Sequence, residues 1–194
     1  MTEADPYSWH CLAPQLVAEQ LSAYGPGAVV EIGVWRGELS ERLLRLPALT
    51  HLTMVDPWSP VYGRDERGRW VVCGPGLNEA EMEAAYADAV TLADQAGGRA
   101  TILRRPSVDA APLVADGTLA AVIIDGLHFT DQVIEDIVSW LPKLRPDGLL
   151  IGDDFSDWFP GVKQGVETVL GSQYAVLGQT WWATPQRRSV SCCS

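Results

Sequence analysis

AVVEIGVWRGELSERLLRL, residues 28–46, is the stretch that decides the fold. Residues 28–32 are mostly apolar and β-branched, and the run is too short for a helix, so it reads as a buried strand. Gly33 to Gly37 forms a turn. From Glu38 to Leu46 the leucines at 39, 43 and 44 share one side of a helix that Pro47 ends. Strand, glycine turn and helix in that order open a β-α-β unit.

The unit repeats outward. Before it, residues 11–24 carry Leu12, Leu16, Val17 and Leu21 at helical spacing, and Gly25-Pro26-Gly27 stops the helix. After it, residues 51–55 give a second strand ending at Asp56-Pro57. Residues 57–76 are rich in glycine and proline around Trp58, Tyr62 and Trp70, and are expected to form a long mobile loop, a lid. Asn78 and Glu81 start a helix in capping-box fashion, and Gly97-Gly98 closes it. Residues 100–103, 119–124 and 149–152 read as three more strands, and two final ones fall near 174–177 and 180–183. Between them, Val133, Ile134, Ile137, Val138 and Leu141 line one helix, with Asp131, Glu135 and Asp136 on its wet face. Val162, Val166, Val169 and Leu170 line another. Trp181 and Trp182 alternate on the last strand, so one of them faces the core. The expected fold class is α/β: a Rossmann-like, doubly wound, mostly parallel seven-stranded sheet with helices on both faces.

The whole chain, 1–194, is expected to be one domain, with residues 1–27 an N-terminal helical segment. Net charge is −11, which repels phosphate backbones, so no nucleic-acid partner is expected. The one basic cluster, Arg64, Arg67 and Arg69, is interleaved with Asp65 and Glu66. The longest apolar run, 119–124, is too short to cross a bilayer, and the first residues have no apolar signal-peptide core, so no membrane partner is expected. Cys11, Cys73, Cys192 and Cys193 lack zinc-binding spacing and read as free thiols in a reducing cytoplasm. A homo-oligomer is compatible with all of this.

In open sheets of this kind, ligands sit at the carboxyl ends of the strands. The first such turn is ExGxxxG, Glu31 to Gly37, where an acid before the glycines suits an amino group. A dinucleotide fold would prefer GxGxxG. Asp56 ends the second strand, where a carboxylate accepts hydrogen bonds from both hydroxyls of a ribose. Asp125 ends the fourth strand, and Asp153 and Asp154 follow the fifth. If those strands are neighbours, their ends lie about 5 Å apart and three carboxylates converge. A hard divalent cation would relieve their repulsion; loop acids in water, with Asp154 as a helix cap, are the plainer reading. His128, three residues past Asp125, is placed to serve as a general base or stands as a hydrogen-bonded bystander. Trp58, Trp70, Trp158 and Phe159 fall in loops at the same end of the sheet, placed to stack on adenine or wall in a substrate.

VVEIGVWRGELS and LTMVDPW resemble the first two motifs of the class I S-adenosylmethionine-dependent methyltransferases. RRPSVDAA, the long stretch from AVIIDGLH to RPDGLLIGDDF, and PGVKQGVETVL resemble the branch of small macrolide-sugar, cephalosporin-pathway and catechol-type O-methyltransferases. The resemblance implies that Glu31, Gly33 and Gly37 surround the methionine part of the cofactor. It gives the ribose to Asp56 and the adenine edge to Ser107 and Val108. Asp125, Asp153 and Asp154 match the cation ligands of the metal-dependent relatives, and Asp125 also faces the cofactor's amino group. His128 stands where those relatives carry a lysine base. The serine expected soon after the second glycine is Leu39 here, with Ser40 one position later.

The expected function is therefore S-adenosylmethionine-dependent O-methylation of a small hydroxylated metabolite, a sugar, a phenol or a natural-product intermediate. Mg²⁺ is the expected cation. Three alternatives stand beside it: a metal-free O- or N-methyltransferase, a nicotinamide-dependent reductase and a non-catalytic cofactor-binding protein. The ExGxxxG turn speaks against the reductase, and the acid trio with His128 speaks against the last.

Overall fold

The computed structural model describes residues 9–64, 70–73 and 78–184, and the side chains of 12–60 and 78–184. The deciding stretch forms β1 (Gly27–Ile32), a turn and α2 (Glu38–Leu44), preceded by α1 (Trp9–Tyr24). β2 (Leu49–Val55), α3 (Glu79–Gln95) and β5 (Ala100–Leu103) follow, with a hairpin of β3 (Val61–Arg64) and β4 (Trp70–Cys73) between β2 and α3. The chain continues through α4 (Ser107–Ala110), β6 (Leu119–Ile124), α5 (Thr130–Trp140), β7 (Leu144–Gly152), α6 (Pro160–Leu170), β8 (Ala175–Leu177) and β9 (Thr180–Ala183). The Asn78 side chain caps α3 by accepting from the Glu81 N–H at 3.0 Å, as its sequence signature implies.

Seven strands form one sheet in the order β5-β2-β1-β6-β7-β9-β8. Neighbours from β5 to β7 run parallel; β9 is antiparallel to β7 and to β8. Every residue of β6 is buried, as a central parallel strand covered on both faces requires. One face packs on α1, α2 and α3 through Val17, Leu21, Leu43, Ala85 and Ala89. The other packs on α5 and α6 through Val133, Ile137, Trp140 and Val166. Trp181 takes the core side of the last strand and Trp182 is partly buried.

From β1 the chain builds outward to β2 and β5, then returns to add β6 and β7 on the other side. The order reverses between β1 and β6, and the carboxyl ends of those two strands are where such a sheet leaves a crevice.

Two features depart from the expected elements. The segment expected as an irregular lid holds the antiparallel β3–β4 hairpin. Val61, Tyr62, Trp70, Val71 and Val72 are strand formers, and the glycines and prolines around them drew the loop reading. Residues 65–69 and 74–77 of that segment, with Arg67 and Arg69, lie outside the described residues, as do Cys192 and Cys193. The second departure is α4, which at four residues is too short to show a helical period. Among the described residues no helix is long and apolar enough to cross a membrane.

Candidate active site

A cavity of about 530 Å³ opens at the reversal point, lined among others by Glu31, Gly33, Asp56, Ser107, Val108, Asp125, His128 and Asp136. The glycine turn reaches it because Gly33 has φ +84°, and a Cβ there would lie 1.9 Å from the Asp125 carbonyl oxygen. Only a residue with no side chain lets the end of β1 pass this close to the end of β6. Gly37 also has positive φ and precedes α2.

Asp56 holds the same turn from β2. The Val34 and Trp35 N–H groups donate to its Oδ2 at 3.0 Å each, and the Trp58 N–H donates to Oδ1 at 2.7 Å. Burial raises the Asp56 pKa against these three bonds, which lower it. A carboxylate offers about four acceptor positions. Three are filled by the chain itself, two on Oδ2 and one on Oδ1.

Glu31 is 1% exposed. Its Oε2 accepts from the Ser40 hydroxyl, so Ser40, one position beyond the expected serine, braces the acid rather than facing solvent. Burial pushes the Glu31 carboxyl up to about 8, the Ser40 bond opposes this, and the Asp56 charge adds to it.

At the other side of the reversal, Ile124 pairs with Gly152, so Asp125 and Asp153 follow directly from paired positions. The donor atoms of Asp125, His128 and Asp154 all lie within 4.8 Å of one another. The converging trio thus differs from the expected one: His128 belongs to it and Asp153 does not. Asp153 stands beside that trio, near enough to feel the charges of Asp154 and His128. Its Oδ1 is buried without a hydrogen-bond partner. Burial raises the Asp153 pKa to about 6; the Asp154 N–H bond lowers it, the Asp154 charge raises it and His128 lowers it.

His128 Nε2 is 2.8 Å from Asp154 Oδ2, yet their direction is not that of a hydrogen bond. The Phe159 ring braces the imidazole with centroids 4.5 Å apart. Asp154 has φ +57°, a left-handed conformation that an aspartate holds at some cost. Trp35 and Trp58, the other non-glycine residues of positive φ among those described, lie in the loops after β1 and β2.

Trp58 does not line the cavity as expected for an adenine platform. It is 2% exposed, donates from Nε1 to the Trp35 carbonyl at 2.8 Å, and packs on Tyr86. The large apolar ring and one N–H of tryptophan are both satisfied inside the core, where it supports the turn from behind. Ser107 and Val108 line the cavity, but the Ser107 hydroxyl is engaged with Trp140 and Asp136.

Asp136 is the residue that the sequence reading missed. It is buried rather than wet. Val133, Ile137 and Trp140 bracket it at helical spacing, so the signal was its place on the apolar stripe.

A family model described as a methyltransferase domain matches residues 30–155. No curated protein matches the chain significantly in sequence. Among solved structures, a calicheamicin methyltransferase superposes with a TM-score of 0.68 at 15% identity, over 92% of this chain and 80% of its own. The O-methyltransferase NovP does so with a TM-score of 0.63 at 18% identity, over 91% and 79%. TomG from Streptomyces achromogenes, an O-methyltransferase involved in tomaymycin synthesis and solved with S-adenosylmethionine, has a TM-score of 0.58 at 16% identity, over 90% and 80%. At these identities the likeness is one of fold.

Proposed function

This chain belongs to the methyltransferase-domain family, as an S-adenosylmethionine-dependent enzyme, and on that premise we propose that it methylates a hydroxyl oxygen of a small metabolite with the help of a divalent cation. The observation that carries the proposal is the convergence of Asp125 and His128, which line the cavity, with Asp154. The donor atoms of Asp125, His128 and Asp154 all lie within 4.8 Å of one another, which supports an ion held by the two carboxylates with the imidazole beside it, free of the ion to act as a base.

Glu31 and the Gly33–Gly37 turn would hold the methionine part of the cofactor, Asp56 the ribose, and Ser107 with Val108 the adenine edge. Asp125 and Asp154 would supply oxygens to the cation. When bound, Mg²⁺ or a similar ion lowers the pKa of the acceptor hydroxyl. His128 takes the hydroxyl proton. The acceptor oxygen then attacks the sulfonium methyl carbon, the carbon–sulfur bond breaks, and S-adenosylhomocysteine remains. The acceptor class is a sugar, a phenol or a natural-product intermediate, consistent with solved neighbours of calicheamicin and tomaymycin synthesis. The enzyme works in the cytoplasm, where its thiols stay reduced.

The contact between His128 and Asp154 favours a second reading, in which the carboxylate and imidazole act as a metal-free base pair. Turnover of a panel of hydroxylated metabolites, with and without chelator, separates the two. We expect activity to vanish in excess EDTA and return with Mg²⁺ or Mn²⁺. Full turnover in EDTA would leave the metal-free reading standing. The cofactor assignment has its own check: S-adenosylhomocysteine raises Tm and NADH does not.

A further inference from the structure

Asp136 has no part in the reaction so far described, yet it is a buried carboxylate on the wall of the cavity. Trp140 Nε1–H donates to Ser107 Oγ at 2.7 Å. A serine hydroxyl has one proton, and the Ser107 side chain spends it on Asp136. The donors run Trp140 to Ser107 to Asp136, which makes the carboxylate the accepting end of the chain. Ser107 fills one of its acceptor positions, and no ion pair among the described residues includes it. Its Oδ2 lies 3.6 Å from where a Cβ on Gly126 would be, so the glycine brings the loop's backbone beside the carboxylate with no side chain of its own in between. A buried carboxylate with acceptor capacity to spare is costly unless a donor arrives.

We propose that Asp136 accepts a hydrogen bond from the 6-amino group of the cofactor's adenine, and so selects adenine over other purines. The proposal rests on the cofactor assignment above. S-adenosylmethionine carries three sets of N–H or O–H donors: the ammonium, the ribose hydroxyls and the adenine 6-amino group. Glu31 and Asp56 stand with the glycine turn and take the first two. Asp125 stands with the cation trio, while Glu38 and Glu135 are exposed. Asp136 is the buried acid next to Gly126 and to Ser107, to which the resemblance gives the adenine edge. Val108 has no polar side-chain atom to offer, and the Ser107 hydroxyl is already committed.

The test is calorimetric binding of S-adenosylhomocysteine and of S-inosylhomocysteine, its 6-oxo counterpart, at pH 8. In the natural chain the 6-oxo compound turns an acceptor towards an acceptor, and we expect it to bind at least tenfold more weakly. In Asp136→Asn the side-chain amide can donate to the 6-oxo group or accept from the 6-amino group, so the ratio should fall towards one. A purely structural role for Asp136 predicts that the variant weakens both ligands equally, and that result overturns the proposal. The natural chain's own ratio needs no variant, so a value near one overturns it even if Asn at 136 fails to fold. Failure of the folded natural chain to bind either ligand would instead overturn the cofactor assignment, and this proposal with it.

Discussion

Glu31 shows what a single buried acid does to the energetics of this fold. Its carboxyl, ordinarily near 4.5, is pushed up to about 8 chiefly by burial. Between those values the folded chain holds a proton that the unfolded chain has released. Stability therefore falls as pH rises through that window and levels off above it. We expect the Tm of the natural chain to drop relative to Glu31→Gln between about pH 5 and 8.5, because the amide has no proton to lose. Parallel Tm curves for the two proteins would refute burial as the dominant influence on Glu31. At this scale the sequence was legible wherever an acid abuts a strand end or a glycine: Glu31, Asp56, Asp125 and Asp154 all lie at the strand ends that the pattern implied. It was not legible for Asp136, because an acid on an apolar stripe reads as solvated until its partner is known. That partner, Ser107, comes from a different helix. Nor could spacing decide between His128 and Asp153 for the converging trio, since the choice depends on how the loop after β6 folds back against α6.

Among the elements, the passage from β1 into α2 sits under the tightest backbone constraint. An alanine at 33 would meet the Asp125 carbonyl and sit at φ +84°. We expect Gly33→Ala to cost about 2 kcal/mol or more in denaturant unfolding and to abolish S-adenosylhomocysteine binding. Gly98 is the control. It has φ +88° with nothing within 4 Å of its Cβ position, so Gly98→Ala should cost about 1 kcal/mol and leave binding intact. Equal binding losses in the two variants would show that the turn's approach to β6 is not what shapes the site. The glycine turn was readable because its need is local. The β3–β4 hairpin was not: its strands are four residues each, and short apolar stretches amid glycine and proline carry no decisive period. The place of β9 between β7 and β8 was equally hidden, because pairing partners are chosen by packing and leave no mark on local periodicity.

At the scale of the whole molecule, the net charge of −11 and the acids around the cavity act together. Their summed potential disfavours phosphate-rich partners and favours a cationic ligand in a cleft whose low-dielectric walls focus the field. S-adenosylmethionine carries a sulfonium, an ammonium and a carboxylate, one net positive charge; S-adenosylhomocysteine lacks the sulfonium and is neutral. The field should therefore hold the substrate form of the cofactor more tightly than the product form, which also helps the product to leave. Salt separates this effect from contact chemistry, since the screening length shrinks from about 30 Å at 0.01 M to about 10 Å at 0.1 M. Without added divalent cation, we expect a rise from 0.01 to 0.5 M NaCl to weaken S-adenosylmethionine binding several-fold more than S-adenosylhomocysteine binding. Saturating Mg²⁺ should shrink that difference, because an ion held at Asp125 and Asp154 cancels part of the same negative potential. Calorimetric titrations of both ligands at the two salt concentrations, each with and without Mg²⁺, measure it directly. Equal salt sensitivity of the two ligands would mean that the acids around the cavity are already neutralised within the fold.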